Sequence, residues 1–295
     1  MSDVATKTRT WIVLGCGYTG ERLARRLRDE GEHVVATARR DDAAAALRTR
    51  LGDGIDVRTA DVFAPATLAG WWIPAGAIVV DSVPPDLERG PHGAHVARAL
   101  ADAGGGRIVY LSSTGVYPRG NGAWVDEDTP TAPEGARGLA RVVEEDVYST
   151  AASDAARGLE AVSLRIAAIY GRGRGVQERL RAGAYRVPGD GQNFVSRVHV
   201  EDLARVVAAA GRVAPLPRRV FVVGDDLPCR AREHADGVAA LLGLSPPASV
   251  PMAELSPLAA ELGGANRRIR NARLHAELGV TLQFPSWREG VPASL

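Results

Sequence analysis

The sequence predicts an α/β fold: a doubly wound parallel sheet with a smaller, partly interleaved C-terminal domain. Three observations predict it. Short apolar runs alternate with amphipathic helical stretches through the first 168 residues. The first apolar run ends on Gly15-Cys16-Gly17-Tyr18-Thr19-Gly20, a glycine-rich turn between a strand and a helix. The 295 residues suffice for one large domain or two fused ones, and need no metal or disulfide staple.

The elements follow in order. Residues 11–14 form a buried strand. Residues 19–30 form a helix, with Leu23, Ala24 and Leu27 inward and Arg22, Arg25 and Arg26 outward. A second strand spans 33–38. The helix at 41–51 has Asp41 or Asp42 as its natural N-cap. Strands at 55–59 and 77–81 precede a helix at 94–103, which stops at the glycine run 104–106. A strand at 107–112, a helix at 138–152 and a strand at 159–166 complete the first half. Beyond Tyr170 proline and glycine become frequent. Helices are expected at 201–211, 231–242, 253–262 and 271–278, and a strand at 220–223 returns to the sheet. The boundary is expected at 168, with 169–295 as the smaller domain and 196–224 rejoining the first domain's sheet.

Composition removes several function classes. The net charge is +1, with 45% hydrophobic and 24% charged residues, so nothing suggests a nucleic-acid partner. There is no run of about 18 apolar residues for a membrane span, and the N-terminus lacks the apolar core of a signal peptide. The expected location is the cytoplasm, and the two cysteines, Cys16 and Cys229, fit a reducing compartment. No CxxC pair exists, and no metal site is expected. Lys7 is the only lysine. A phosphate-loop lysine, a Schiff-base lysine and a Tyr-x-x-x-Lys pair are therefore absent by inventory.

The loop at 15–20 has the G-x-G-x-x-G spacing of a dinucleotide site. Gly15 permits the tight turn, Gly17 lets a pyrophosphate approach, and Gly20 lets the helix pack on the strand. Tyr18 and Thr19 open the helix, whose free N–H groups and dipole favour negative charge. A carboxylate about 20 residues further on would meet an unphosphorylated ribose. Here that place holds Ala38, Arg39 and Arg40. Arginine grips a 2′-phosphate that a carboxylate repels, so NADP(H) is favoured over NAD(H); the competing reading is two solvated surface charges. Asp61 and Val62 follow the third strand, on the adenine side, although Asp61 could equally cap a helix. Ser82 follows the fourth, on the ribose and nicotinamide side.

These residues, with YLSSTGVYP at 110–118, DEDTPTAP at 126–133, LRIAAIYGRGR at 164–174 and SRVHVEDLA at 196–204, resemble the extended short-chain dehydrogenase/reductase superfamily. NRRIRN at 266–271 and FPSWREG at 284–290 resemble an atypical subgroup described as NAD-dependent epimerase/dehydratase-like. The resemblance spans essentially the whole chain and implies a Rossmann sheet and a nicotinamide cofactor. It places the substrate-holding hydroxyl at Ser113. It also places the usual tyrosine and lysine at Arg137 and Arg141, where the pattern breaks. A guanidinium, with a pKa above about 12, exchanges no proton near neutrality. Arg137 therefore cannot act as the tyrosine does. Arg141 could still hold the nicotinamide ribose, or it could simply pair with Glu145 one turn on. Tyr117 is a candidate replacement acid, with packing as the competing role. His199 titrates in the right range but sits in a segment that usually orders a strand–helix junction.

Six arginines between 172 and 197, including Arg174 and Arg197, suit a phosphate or carboxylate on a small substrate such as a nucleotide sugar. A basic surface is the plainer alternative. Two functions remain: an NADP(H)-dependent oxidoreductase or epimerase with a rewired acid, and a non-catalytic NADP(H)-sensing protein. Alanine-rich stretches at 97–103 and 136–143 could serve a homodimer.

Overall fold

The structure is a computed structural model that describes residues 9–68 and 72–295. Its centre is a seven-stranded, mostly parallel sheet in the order β12-β7-β5-β4-β1-β2-β3. The strands are β1 (Thr10–Leu14), β2 (His33–Ala38), β3 (Asp56–Thr59), β4 (Ala77–Asp81), β5 (Gly106–Ser113), β7 (Leu159–Ile166) and β12 (Val220–Val223). β1, β2 and β4 read as nearly continuous apolar runs because helices cover both faces of a parallel sheet. The helices are α1 (Tyr18–Asp29), α2 (Asp41–Leu51), α3 (Gly93–Asp102), α4 (Ala136–Ala151) and α6 (Val200–Arg212). The predicted strand at 220–223 does return to this sheet.

Two compact units emerge, each assembled from separate stretches. The first comprises Met1–Ser112, Ala140–Leu164 and Val207–Arg219; the second comprises Ser113–Leu139, Arg165–Val206 and Val220–Leu295. In the first, Ile12, Leu14, Val35, Val79, Ile108 and Tyr110 pack with Val96 and Leu100 of α3. Gly211, near the end of α6, gives way to the Trp11 indole: a Cβ there would lie 2.2 Å from the ring. Arg107 closes that helix end. Its Nη1 donates to the carbonyls of Ala210, Gly211 and Val213 at 3.0, 3.1 and 2.6 Å, while its Nη2 donates to Glu160. This satisfies carbonyls that a helix C-terminus leaves without partners.

The second unit is a set of short parallel and antiparallel pairs: β6 (Ala123–Val125) with β15 (Arg267–Ile269), β8 (Ala168–Tyr170) with β11 (Arg197–His199), β9 (Val187–Pro188) with β14 (Ser249–Val250), and β10 (Phe194–Val195) with β13 (Cys229–Arg230). Its helices are α5 (Val176–Arg181), α7 (Ala231–Leu241), α8 (Pro257–Gly263), α9 (Ala272–Leu278) and α10 (Trp287–Gly290). Tyr170, Tyr185, Val187, Cys229, Val238 and Trp287 form its core.

Two local expectations need correction. Neither Asp41 nor Asp42 caps α2; its N-cap is Arg40, without a side-chain bond. Asp41 accepts from the Thr59 hydroxyl, and Asp42 pairs with Arg40. The helix expected at 253–262 is a single turn at Met252–Glu254 followed by α8, because Ser256 and Pro257 start a new N-terminus there, with the Ser256 Oγ accepting from Ala259 N.

Candidate functional site

The register of the sheet creates a candidate cofactor site in the first unit. Leu14 of β1 lies opposite Asp81 of β4, and the strand order departs in opposite directions from this pair. In an open parallel sheet the crevice beyond the carboxyl ends of such strands receives ligands. The glycine loop sits there. Gly15 has φ +65°, and a Cβ on it would lie 2.8 Å from the Val83 Cγ2, so this loop and the one after β4 touch. Gly17 is exposed, and a Cβ there would meet only the Gly15 carbonyl, leaving space for a phosphate. A Cβ on Gly20 would lie 3.0 Å from the Val13 Cγ1. Gly15 N and Cys16 N donate to the Thr37 hydroxyl and carbonyl at 3.2 and 2.9 Å, tying the loop to β2. No side chain caps the start of α1. These residues fit a dinucleotide pyrophosphate.

Tyr18 is half-buried beneath the Arg22 guanidinium, 3.8 Å from its ring centroid. The Thr19 side chain turns inward, so its contribution to a ligand is its backbone N–H. Burial pushes the Cys16 thiol up to about 12, which makes it unreactive. At the end of β2 both arginines are exposed. Arg40 is engaged with Asp42 at 2.9 and 3.0 Å, whereas Arg39 has no hydrogen-bonded or ion-paired partner among the described residues. Asp61 accepts from Phe63 N and pairs with Arg89 at 3.2 Å, so it braces its turn. Val62 is buried, and its carbonyl lies 3.0 Å from the His95 Nδ1. Ser82 is half-buried and donates its N–H to the Leu14 carbonyl.

Directly behind Ser82 lies a charged cluster that the sequence did not announce. The His92 Nε2 is 2.9 Å from the Asp81 Oδ2, and its Nδ1 is 2.9 Å from the Glu144 Oε1. The Tyr148 hydroxyl donates to the same Asp81 oxygen at 2.8 Å, and Val83 N donates to the Asp81 Oδ1. Glu144 also accepts from His92 N and Gly93 N at 2.8 and 2.9 Å, filling the amino end of α3. All four side chains are buried. Burial alone would lower His92, but its bonds to Asp81 and Glu144 prevail and hold it at about 9.

Arg141 reaches from α4 to the end of β5, where its Nη1 donates to the Tyr110 hydroxyl at 3.0 Å and the Leu111 carbonyl at 2.7 Å. The neighbouring Ser112 hydroxyl donates to Glu145 at 2.5 Å. Arg141 therefore anchors α4 on the sheet.

The second unit carries the other candidates. The Ser113 Oγ accepts from Gly115 N at 3.1 Å and keeps its own proton available. Tyr117 is 1% exposed. Its hydroxyl donates to the Asp126 carbonyl and accepts from the Arg165 Nη1, a packing role rather than that of the candidate acid. Arg137 is exposed. His199 is buried between Tyr170 and Phe284 and bonds Ser294, ordering its junction. The acidic loop is latched, because Glu127 accepts from Val222 N and Asp128 pairs with Arg273. The arginines of 172–197 disperse. Arg174 is exposed on a turn, Arg179 stacks on Tyr185, Arg181 pairs with Glu178, and Arg186 donates to carbonyls. Arg197 alone is half-buried without a carboxylate partner among the described residues. Near it stand Asp225 and His234, which no motif marked.

Comparison with known proteins gives a consistent picture. Residues 92–224 match the model of the NAD dependent epimerase/dehydratase family. A 3-diazoavenalumate denitrifying reductase from a Streptomyces species is 32% identical over 219 residues, covering 67% of this chain and 68% of that protein. A conserved protein of unknown function from Silicibacter pomeroyi DSS is 34% identical, with a TM-score of 0.80 over 97% of this chain and 98% of its own. A UDP-glucuronic acid 4-epimerase from Bacillus cereus, solved with NAD, has a TM-score of 0.78 at 15% identity, covering 97% of both chains; this is a likeness of fold.

Proposed function

Because the chain belongs to the NAD dependent epimerase/dehydratase family, whose members are NAD(P)-dependent oxidoreductase- and epimerase-like enzymes, we propose that it is an NADP(H)-dependent reductase of a small anionic substrate. Arg39 carries the cofactor preference. It stands exposed at the end of β2 with no hydrogen bond or ion pair among the described residues, its charge felt by the more distant Asp86, in the place where a carboxylate would select the unphosphorylated ribose. Gly15, Gly17 and Gly20 leave room for the pyrophosphate, Arg39 grips the 2′-phosphate, and Arg40 adds charge from its pair with Asp42. Asp61 and Val62 border the adenine, and Ser82 and Arg141 the nicotinamide ribose.

The bound nicotinamide supplies or accepts the hydride. Reduction needs one proton delivered to the product, which solvent can supply through the Ser113 hydroxyl, and so demands less of the chain's own residues than epimerisation does. Epimerisation through an alcohol requires a base that takes a proton and returns it, and the positions the resemblance assigns to the usual tyrosine and lysine hold guanidinium groups, a chemical class that exchanges no proton near neutrality. Ser113 orients the substrate oxygen and Arg197 meets its negative charge, while the exposed Arg174 adds positive charge at the surface. The 32% identical relative acts as a reductase on 3-diazoavenalumate, which supports the same direction. No helix among the described residues is long and apolar enough to cross a membrane. Leu139 and Val143 of α4 are exposed and support a homodimer.

A fluorescence titration with NADPH and NADH, on the wild type and on Arg39→Ala, tests the reading. Tighter binding of NADPH, weakened selectively by about tenfold or more in the variant, is the expected outcome. Equal affinity for both nucleotides in both proteins would remove the NADP(H) assignment. NADPH binding without oxidation across a panel of organic anions would favour the sensing role.

A further inference from the structure

Arg197 occupies an unusual place in the second unit. Its Nη1 lies 3.8 Å from the Cys229 Sγ, and its backbone carbonyl accepts from Asp225 N at 2.6 Å. No carboxylate among the described residues lies within ion-pair distance of its guanidinium. The other arginines near this cluster are matched: Arg232 bonds Asp236 and Arg288 bonds Glu233.

Buried polar atoms without partners lie within electrostatic reach of it. Asp225 is 2% exposed and its Oδ1 bonds nothing; His234 is 1% exposed and neither ring nitrogen has a partner. Buried polar atoms are almost always hydrogen-bonded, so three orphans near one unpaired cation call for a ligand. Two polar groups beside them are already engaged. Asp226, next in sequence, is used by Asn271 and His275 at 2.7 and 2.9 Å, while the Tyr170 hydroxyl donates to the Ser286 carbonyl.

The charges specify the ligand. Burial pushes Asp225 up to about 8, against the pull of Arg197, so it keeps its proton at neutral pH. Burial, reinforced by the Arg197 charge, holds His234 well below its usual value and therefore neutral. Burial also raises the Cys229 thiol. The cluster thus carries one positive charge and no negative one, and a partly buried charge without a counterion is costly. A monoanion with two oxygens neutralises it, whereas a phosphate dianion would leave an unmatched negative charge in a poorly hydrated site. The guanidinium fork engages a carboxylate edge, and the Asp225 hydroxyl and a His234 N–H are donors for the remaining lone pairs.

We infer that Arg197, Asp225 and His234 form a carboxylate-binding site in the second unit; calling its ligand the substrate rests on the reductase reading above. The test is calorimetric titration of the full chain with benzoate, benzamide and inorganic phosphate, with NADPH titrated in parallel. Benzoate is expected to bind, with benzamide and phosphate at least about tenfold weaker. Arg197→Met should abolish benzoate binding. Arg197→Lys, which keeps the charge and guards against a folding failure, should weaken it about tenfold by losing the fork. Asp225→Asn, which keeps a donor, should retain it, and Asp225→Leu should not. Absence of benzoate binding to the folded wild type, or affinity unchanged in both Arg197 variants, overturns the assignment. Benzoate binding without NADPH binding would remove the reductase reading and leave this site standing.

Discussion

At the scale of single residues, the buried ionisable groups make the sharpest predictions. His92 links Asp81 to Glu144, and removing it leaves two carboxylates in an apolar core. His92→Leu is expected to cost on the order of 3–5 kcal/mol, read as a large fall in Tm. The folded pKa of about 9 exceeds the ordinary histidine value of 6.5. Its contribution is therefore complete below about pH 6.5 and lost as the pH rises through about 9. Asp225 gives the same slope for a different reason. The folded chain holds a proton that the unfolded chain releases near 3.8, so stability declines as the pH rises from there to about 8. Asp225→Asn should flatten that decline and raise Tm at pH 8; an unchanged pH–Tm curve would refute it. Legibility was uneven at this scale. Gly15, Gly17 and Gly20 stand in one short-range pattern at the end of β1, whereas Ser82 is legible from its place after β4, the strand that pairs with β1. Glu144 and Tyr148 stand one turn apart on α4, but Asp81, His92 and this pair come from three separate segments that meet only through tertiary packing, so no local spacing reveals the cluster.

Among the elements, α4 shows how a helix that lost the usual tyrosine and lysine keeps its place. Arg141 ties its second turn to β5, and Gly138 lets its first turn approach the 114–116 turn. A Cβ on Gly138 would lie 2.3 Å from the Gly115 carbonyl and 2.7 Å from the Pro133 Cβ. Gly138→Val should therefore displace the helix start at about 1–3 kcal/mol or more, measured by chemical denaturation, whereas Arg137→Ala on the exposed side should be nearly neutral. The long strands were legible to within a residue or so because burial on both faces makes each a continuous apolar run. The pairs β6–β15, β8–β11, β9–β14 and β10–β13 were not. Each strand has only two or three residues, too few for any period to register.

On the scale of the whole molecule, the order of the chain and the order of the sheet diverge. The first unit recruits Val207–Arg219 from late in the sequence, and with it the carbonyls that Arg107 holds and the glycine that admits Trp11. A chain cut at residue 168 would lose these and expose β7 along its β12 edge. It is expected to aggregate rather than fold, and a monodisperse, cooperatively melting fragment would contradict this. The two thiols, both raised by burial, have a practical consequence. Cys16 lies in the first unit and Cys229 in the second, and both are buried. Neither can be alkylated until its own surroundings open, so pulsed labelling of the unaltered chain, read peptide by peptide, would time the breathing of each unit separately.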